Sequence, residues 1–301
     1  MLTFGLFGTG HWAAEVHAPA LAAHPRVRLA GVWGRDPAKA RALAERYDVP
    51  AFDDVDALIE AVDAVSVALP PDVQADIAVR AATADRHLLL DKPLALSLPD
   101  ADRVVAAADR SGVASIVFFT RRFQPEVAGF LAAAAATGGW HGARGVIYAS
   151  IFQPGSPYAG SVWRRTHGAL WDVGPHALSL LLPVLGRVTR VAAMDGPRDS
   201  VHLMLAHAEG ATSTLSLTLD APPSAVTSEF AFYGDNGIDV VPEGTGTRVE
   251  TLGLAIDQLL AEIDAGTRDH RCDVRFGREV VAVLAAAQTA REQGRTVTVS
   301  P

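Results

Sequence analysis

A chain of 301 residues, 49% of them hydrophobic, can bury a substantial core, and its length favours two domains over one. The net charge of −8 comes with no basic run interleaved with aromatics, which argues against a nucleic-acid partner. The longest apolar runs are interrupted by charged or turn residues before the roughly 20 positions a bilayer crossing needs, so no membrane span is expected.

A strand-like segment from Thr3 to Phe7 begins almost at once, leaving no room for the basic, apolar and cleavage regions of a secretory leader. Strands are then predicted at Val27 to Trp33, Ala64 to Leu69, His87 to Leu90 and Ser115 to Phe119, separated by helices near Pro37 to Tyr47, Val73 to Ala82 and Asp100 to Ser111. Their continuously apolar character is that of strands covered by helices on both faces. This rhythm predicts a doubly wound parallel α/β sheet over residues 1–120. From 121 to 301 the strands lengthen and become more polar, as in "ARGVIYASIF", "VTRVAAM", "TSTLSLTL" and "SEFAFYG", which predicts an α/β domain with an open, mainly antiparallel sheet. The run Ala132 to Ala136 is read as helical, and the chain ends in an amphipathic helix, a stop at Gly294 and a short strand. Cys272 is the single cysteine and no Cys/His cluster stands at ligand spacing, so neither an internal disulfide nor a metal centre is expected and a reducing cytoplasm fits.

The first strand runs into Gly8-Thr9-Gly10-His11-Trp12-Ala13. Gly8 permits a tight turn, Gly10 lets the backbone approach a pyrophosphate, and Ala13 is small enough for close strand-to-helix packing. Coming before a helix, whose first N–H groups meet phosphate charge, this turn points to a dinucleotide. The second strand ends at Gly34, where NAD-preferring sites carry an acid on the adenosine ribose. Without that acid, Arg35 is free to pair with a 2′-phosphate, a contact of roughly 1.5 to 3 kcal/mol, so NADP(H) is favoured with NAD(H) still possible. The competing reading makes Arg35 a solvated loop charge, with Asp36 capping the next helix beside Pro37. Leu69 and Pro70, at the end of the third predicted strand, join the candidate cofactor contacts.

Two further segments, Asp91-Lys92-Pro93 after a strand and Asp172-Val173-Gly174-Pro175-His176 opening a helix, complete a pattern. With "FFTRRFQP" and the terminal "GREVVAVLAAAQTAREQGRTVTV", the chain resembles the glucose-fructose oxidoreductase, inositol dehydrogenase and MocA family along essentially its whole length. The resemblance implies a Rossmann domain joined to a domain whose open sheet often mediates homo-oligomerisation, as a dimer or tetramer. It further implies an oxidoreductase of sugars, polyols or related small molecules, with Lys92, Asp172 and His176 meeting at the nicotinamide. Hydride movement at a carbinol carbon needs a proton moved at the attached oxygen, which suits His176 as proton carrier, Lys92 as alkoxide stabiliser and Asp172 as the group orienting one of them. Trp163 and Arg164 match the family's W-R loop, and they and Arg122 are candidate substrate contacts. Only two of the 26 lysine and arginine residues are lysines, Lys39 and Lys92, so an amine is kept where a compact, titratable cation is useful. His167, His202, His207 and His270 read as surface or satisfied core residues.

The chain departs from the family at Gln74, where histidine is common, and at Ser179, where aspartate is common. Asp91 replaces a glutamate. A non-catalytic dinucleotide sensor on the same fold is the alternative, and an oxidoreductase that retains its cofactor to shuttle hydride between two sugars is a third reading.

Overall fold

The computed structural model describes residues 1–300, which form two compact units. Unit 1 comprises Met1–Phe123 with Gly246–Arg278; unit 2 comprises Gln124–Thr245 with the residues from Glu279 onward. The first unit therefore takes back residues 246–278, which the division at 120 assigns to the second. A helix there explains the return, because its apolar stripe of Leu252, Ala255, Ile256, Leu259 and Leu260 is buried on the helical segment that follows the glycine turn.

In chain order the elements are β1 (Leu2–Phe7), α1 (Ala18–Ala23), β2 (Val27–Trp33), α2 (Pro37–Glu45), β3 (Ala51–Phe52), α3 (Val55–Glu60), β4 (Ala64–Val67), α4 (Pro71–Thr83), β5 (His87–Asp91), α5 (Leu98–Ser111) and β6 (Ser115–Phe118). Then come α6 (Pro125–Thr137), β7 (Trp140–Tyr148), α7 (Val162–Asp172), α8 (Gly174–Leu185), β8 (Val188–Asp195), β9 (Val201–His207), β10 (Thr212–Thr218), β11 (Thr227–Gly234), β12 (Gly237–Val240), α9 (Arg248–Ala265), α10 (Val274–Gln293) and β13 (Val297–Thr298).

Unit 1 is a six-stranded, wholly parallel sheet in the order β3-β2-β1-β4-β5-β6. This is the doubly wound order, in which the chain reverses direction across the sheet between β1 and β4 and leaves a crevice at their carboxyl ends. Every residue of β4 and β6 is buried, as expected of strands covered on both faces.

Unit 2 is a seven-stranded sheet in the order β12-β11-β7-β10-β9-β8-β13, antiparallel at every neighbouring pair except β7–β10. One face packs against α7 and α8, and Val201, Leu203, Leu205, Leu215 and Leu217 are buried. The alternate positions leave Met194, Met204, Ile238 and Val240 exposed on the other face.

Among the described residues, one helical stretch, Val162–Leu185, is long and apolar enough to span a bilayer, which the sequence reading did not anticipate. It is a core element instead: 83% of its most apolar window is buried in protein, and Gly168 leaves the helical conformation within it. Cys272 is a buried thiol pushed up to about 11 by desolvation, as for an inert core residue.

His17 is fully buried in a π-helical turn, Ala13–His17, directly after the glycine turn. Its Nδ1 lies 2.8 Å from Ser66 Oγ, and burial pushes its pKa down to about 3. The fold therefore holds His17 neutral, whereas the unfolded chain takes up a proton below about pH 6.5. Stability from this group is fully present above that pH and is lost towards pH 3 at about 1.4 kcal/mol per pH unit. His17→Gln keeps a polar partner for Ser66 without titrating, so the stability gap between wild type and variant should narrow by about 2 kcal/mol between pH 7 and pH 5. Urea unfolding at the two pH values measures it, and an unchanged gap would remove His17 as the cause.

Candidate active site

The carboxyl end of β1 turns at Gly8, whose φ of +135° and close approach to the Ala68 carbonyl oxygen leave no room for a Cβ. Hydrogen bonds to both neighbouring chains fix the turn, Gly8 N–H to Trp33 O and Ala68 N–H to Phe7 O, each 2.8 Å. Gly10 is the opposite case, exposed and with nothing within 4 Å of where a Cβ would stand. A crowded first glycine and an open second one, at the start of a helix and at the reversal point of the sheet, are the shape a dinucleotide pyrophosphate requires. The residues present fit that group. Leu69 and Pro70 emerge beside this turn because β4 pairs with β1, Val67 opposite Phe7. His11 is exposed, while Trp12 is part-buried with the Arg248 guanidinium 5.3 Å over its ring.

At the end of β2, a Cβ on Gly34 would stand 2.5 Å from Thr9 Cγ2 and 3.0 Å from Thr9 Oγ1. Thr9 thus fills the space a ribose-binding acid would use. Asp36 does cap α2, accepting from the N–H groups of Ala38 and Lys39, and so is engaged elsewhere. Arg35 is exposed and makes no hydrogen bond or ion pair with the described residues. Of the two readings of this corner, the capping role of Asp36 is real and leaves Arg35 available.

Lys92 follows the last residue of β5, and its peptide to Pro93 is cis. Asp91 turns its Oδ1 onto the Lys92 N–H at 2.8 Å, so the shorter acid serves the backbone of this turn. Lys92 itself is part-exposed, whereas Pro93, Leu94 and Ala95 after it are buried.

In unit 2, the break at Gly168 (φ 65°, ψ −164°) divides α7 and sets the direction of the turn that carries Asp172. The Asp199 carboxylate occupies the space beside Gly168 and accepts the Ala169 N–H at 3.0 Å, capping that turn from the β8–β9 connection. Desolvation raises the pKa of Asp199. Asp172 is buried, with Arg164 Nε 2.9 Å from its Oδ2. The Arg164 guanidinium lies 4.4 Å from the Tyr158 ring centroid and 4.6 Å from that of Trp163, and reaches Ser161 Oγ at 3.4 Å. Arg164 is therefore committed to holding Asp172 rather than standing free.

From Gly168 to Leu182 every residue is buried except His176, the one position of this segment open to a solute. Ser179 is buried and spends its hydroxyl on the His176 carbonyl at 2.8 Å, so this departure from the family pattern is absorbed inside the helix. Arg122 is also buried, 4% exposed, with its guanidinium 5.1 Å over the Phe276 ring. A cavity of about 210 Å³ in unit 2, lined by Ala169, Asp195, Asp199, Ser200 and Arg291 among others, includes none of the predicted site residues.

Sequence reasoning passed over Tyr158, Asp199 and the part played by Gln74. A glycine inside the otherwise helical "WRRTHGALWD" was the one available signal of the break. Of the four histidines read as structural, His207 is a satisfied core residue, bonded to Gly186 O and Ser213 Oγ, and His270 stacks on Phe123.

Comparison with known proteins agrees with this fold. Residues 2–119 match the family profile described as "Oxidoreductase family, NAD-binding Rossmann fold", and residues 132–238 match that of the "GFO/IDH/MocA C-terminal domain". The chain is 27% identical to UDP-N-acetylglucosamine 3-dehydrogenase of Acidithiobacillus ferrooxidans, covering 96% of each. It is 30% identical to inositol 2-dehydrogenase of Rhizobium meliloti, over 71% of this chain and 67% of that one. A levoglucosan dehydrogenase solved with NADH and levoglucosan superimposes with a TM-score of 0.85 over 99% of both chains at 19% identity, a likeness of fold. The paired domain matches and these relatives establish that the chain belongs to the GFO/IDH/MocA family of oxidoreductases with an NAD-binding Rossmann fold.

Proposed function

We propose that the protein is an NADP(H)-dependent dehydrogenase or reductase acting at a CH–OH group of a sugar, a polyol or a related small molecule. The observation that carries the substrate class is the pairing of the family's Lys92, Asp172 and His176 with relatives named for UDP-N-acetylglucosamine and inositol. The bound dinucleotide supplies the hydride acceptor or donor at nicotinamide C4. As hydride leaves the carbinol carbon its hydroxyl must lose a proton, and His176, the open position in its segment, takes that proton on its imidazole. Lys92 stabilises the negative charge that develops on the oxygen, and the product is the carbonyl. In the reverse direction His176 returns the proton. Asp172, fixed by Arg164, is the group assigned to orient one of these two.

The preference for the 2′-phosphorylated nucleotide rests on Gly34, on Thr9 filling the place of the acid, and on the unpaired Arg35. Titrating NADPH and NADH should give at least tenfold tighter NADPH binding, and Arg35→Ala should remove most of that difference. Equal affinities in the wild type would overturn the preference for NADP(H). For assembly, the face carrying Met194, Met204, Ile238 and Val240 supports a homo-oligomer built through the open sheet. Sedimentation of a monomer at micromolar concentration would end that part of the proposal.

A further inference from the structure

Glutamine is costly to bury unless its amide is satisfied, and Gln74 in the first turn of α4 is 1% exposed. Its Nε2 donates to Asp91 O at 2.7 Å and to Pro93 O at 3.0 Å, with Leu94 O at 3.4 Å, and its Oε1 accepts the Asp91 N–H at 2.9 Å. One side chain therefore grips the main chain on both sides of Lys92. The need for it is local. β5 ends at Asp91 and Pro93 carries no N–H, so the backbone groups of this turn lose their ladder partners at the point where Lys92 must project. With Asp91 Oδ1 on the Lys92 N–H, two side chains hold the turn. A neutral histidine, common in the family at this position, has one donor and one acceptor, whereas the glutamine amide has two donors and an acceptor with two lone pairs.

From this clamp we infer that Gln74 is a positioning residue for Lys92: it fixes the backbone from which the amine projects, and so sets where that amine stands in the reaction. The inference rests on the proposed role of Lys92, and its test separates the two. A misplacement of about 1 Å at a reacting group costs on the order of 10²-fold in rate. Gln74→Met, close in shape and without hydrogen-bonding groups, should lower kcat roughly 10- to 100-fold while NADPH affinity stays within about threefold. Gln74→His should recover most of that loss.

The lysine scarcity supplies a readout independent of turnover. Reductive ¹³C-methylation labels only Lys39, Lys92 and the N-terminus, and Lys39 is largely solvent-exposed, an internal control. The Lys92 signal, assigned by its loss in Lys92→Met, should be distinct in the wild type. In Gln74→Met it should move towards the Lys39 position, with Lys39 itself unaltered.

An unmoved Lys92 signal together with wild-type kcat in Gln74→Met overturns the positioning role, as does Gln74→His being no better than Gln74→Met. If Lys92→Met keeps full turnover, the catalytic role of Lys92 falls while the spectra still decide whether Gln74 places the amine. Should Gln74→Met fail to fold, Gln74→Glu carries the test. Its protonated carboxyl donates one hydrogen bond to the turn and its carboxylate none, so turnover must fall as that carboxyl ionises. A pH profile parallel to the wild type overturns the inference.

Discussion

Replacing Lys92 by methionine lowers turnover about 10²- to 10⁴-fold while dinucleotide affinity stays within a few-fold. The thioether is close in length to the lysine stem, and Gln74 and Asp91 both bond the turn beneath it. Folding and the glycine turn should therefore be undisturbed, and the loss should fall on kcat. Lys92→Arg is the sharper companion. Guanidinium keeps the charge but is larger, planar and held protonated, so a role that depends on a compact cation predicts little recovery. A chain that uses arginine at all but two of its lysine and arginine positions would gain nothing from lysine here if charge alone sufficed. Kinetics with a sugar or polyol found by turnover screening check both variants, and wild-type kcat in Lys92→Met would refute the assigned role.

Much of the first unit was legible because buried parallel strands are continuously apolar. β2 was read at its observed bounds, and β1, β4, β5 and β6 within two residues of theirs. β3 escaped because two residues, Ala51 and Phe52, are too few to make a pattern. α9 escaped despite a capping box between Thr247 and Glu250 and a regular apolar stripe. Nothing in linear order tells that a helix starting at 248 rejoins a sheet finished by 118. The site followed the same division. Gly8 and Gly10 were proposed from local spacing, and Lys92, Asp172 and His176 from the resemblance to the family. The Arg164–Asp172 pair straddles the break at Gly168, the cap on Ala169 comes from Asp199 some thirty positions on, and the clamp on Lys92 spans 74 to 91–94. Motif spacing proposes candidate site groups; the groups that hold them are long-range contacts, which a single sequence does not encode as a pattern.

Alanine substitution should separate the two glycines of the cofactor turn into a folding residue and a binding residue. At Gly8 a methyl group would run into the Ala68 carbonyl, on backbone already bonded to Phe7, and would have to adopt a φ of +135°. Neither can relax without pulling β1 from β4, so Gly8→Ala should cost roughly 3 kcal/mol or more of stability. At Gly10 the same methyl meets nothing within 4 Å, and φ lies outside the left-handed region. Gly10→Ala should fold with stability unchanged or raised by about 0.5 kcal/mol, because alanine has less freedom to lose than glycine. Yet the space it fills is the approach of the pyrophosphate, so NADPH affinity should fall roughly tenfold to a hundredfold. Urea unfolding and fluorescence titration of both variants give the two axes. Wild-type affinity in Gly10→Ala would show that the phosphates do not pass over Gly10, and the cofactor placement would have to be abandoned even if the family assignment stood.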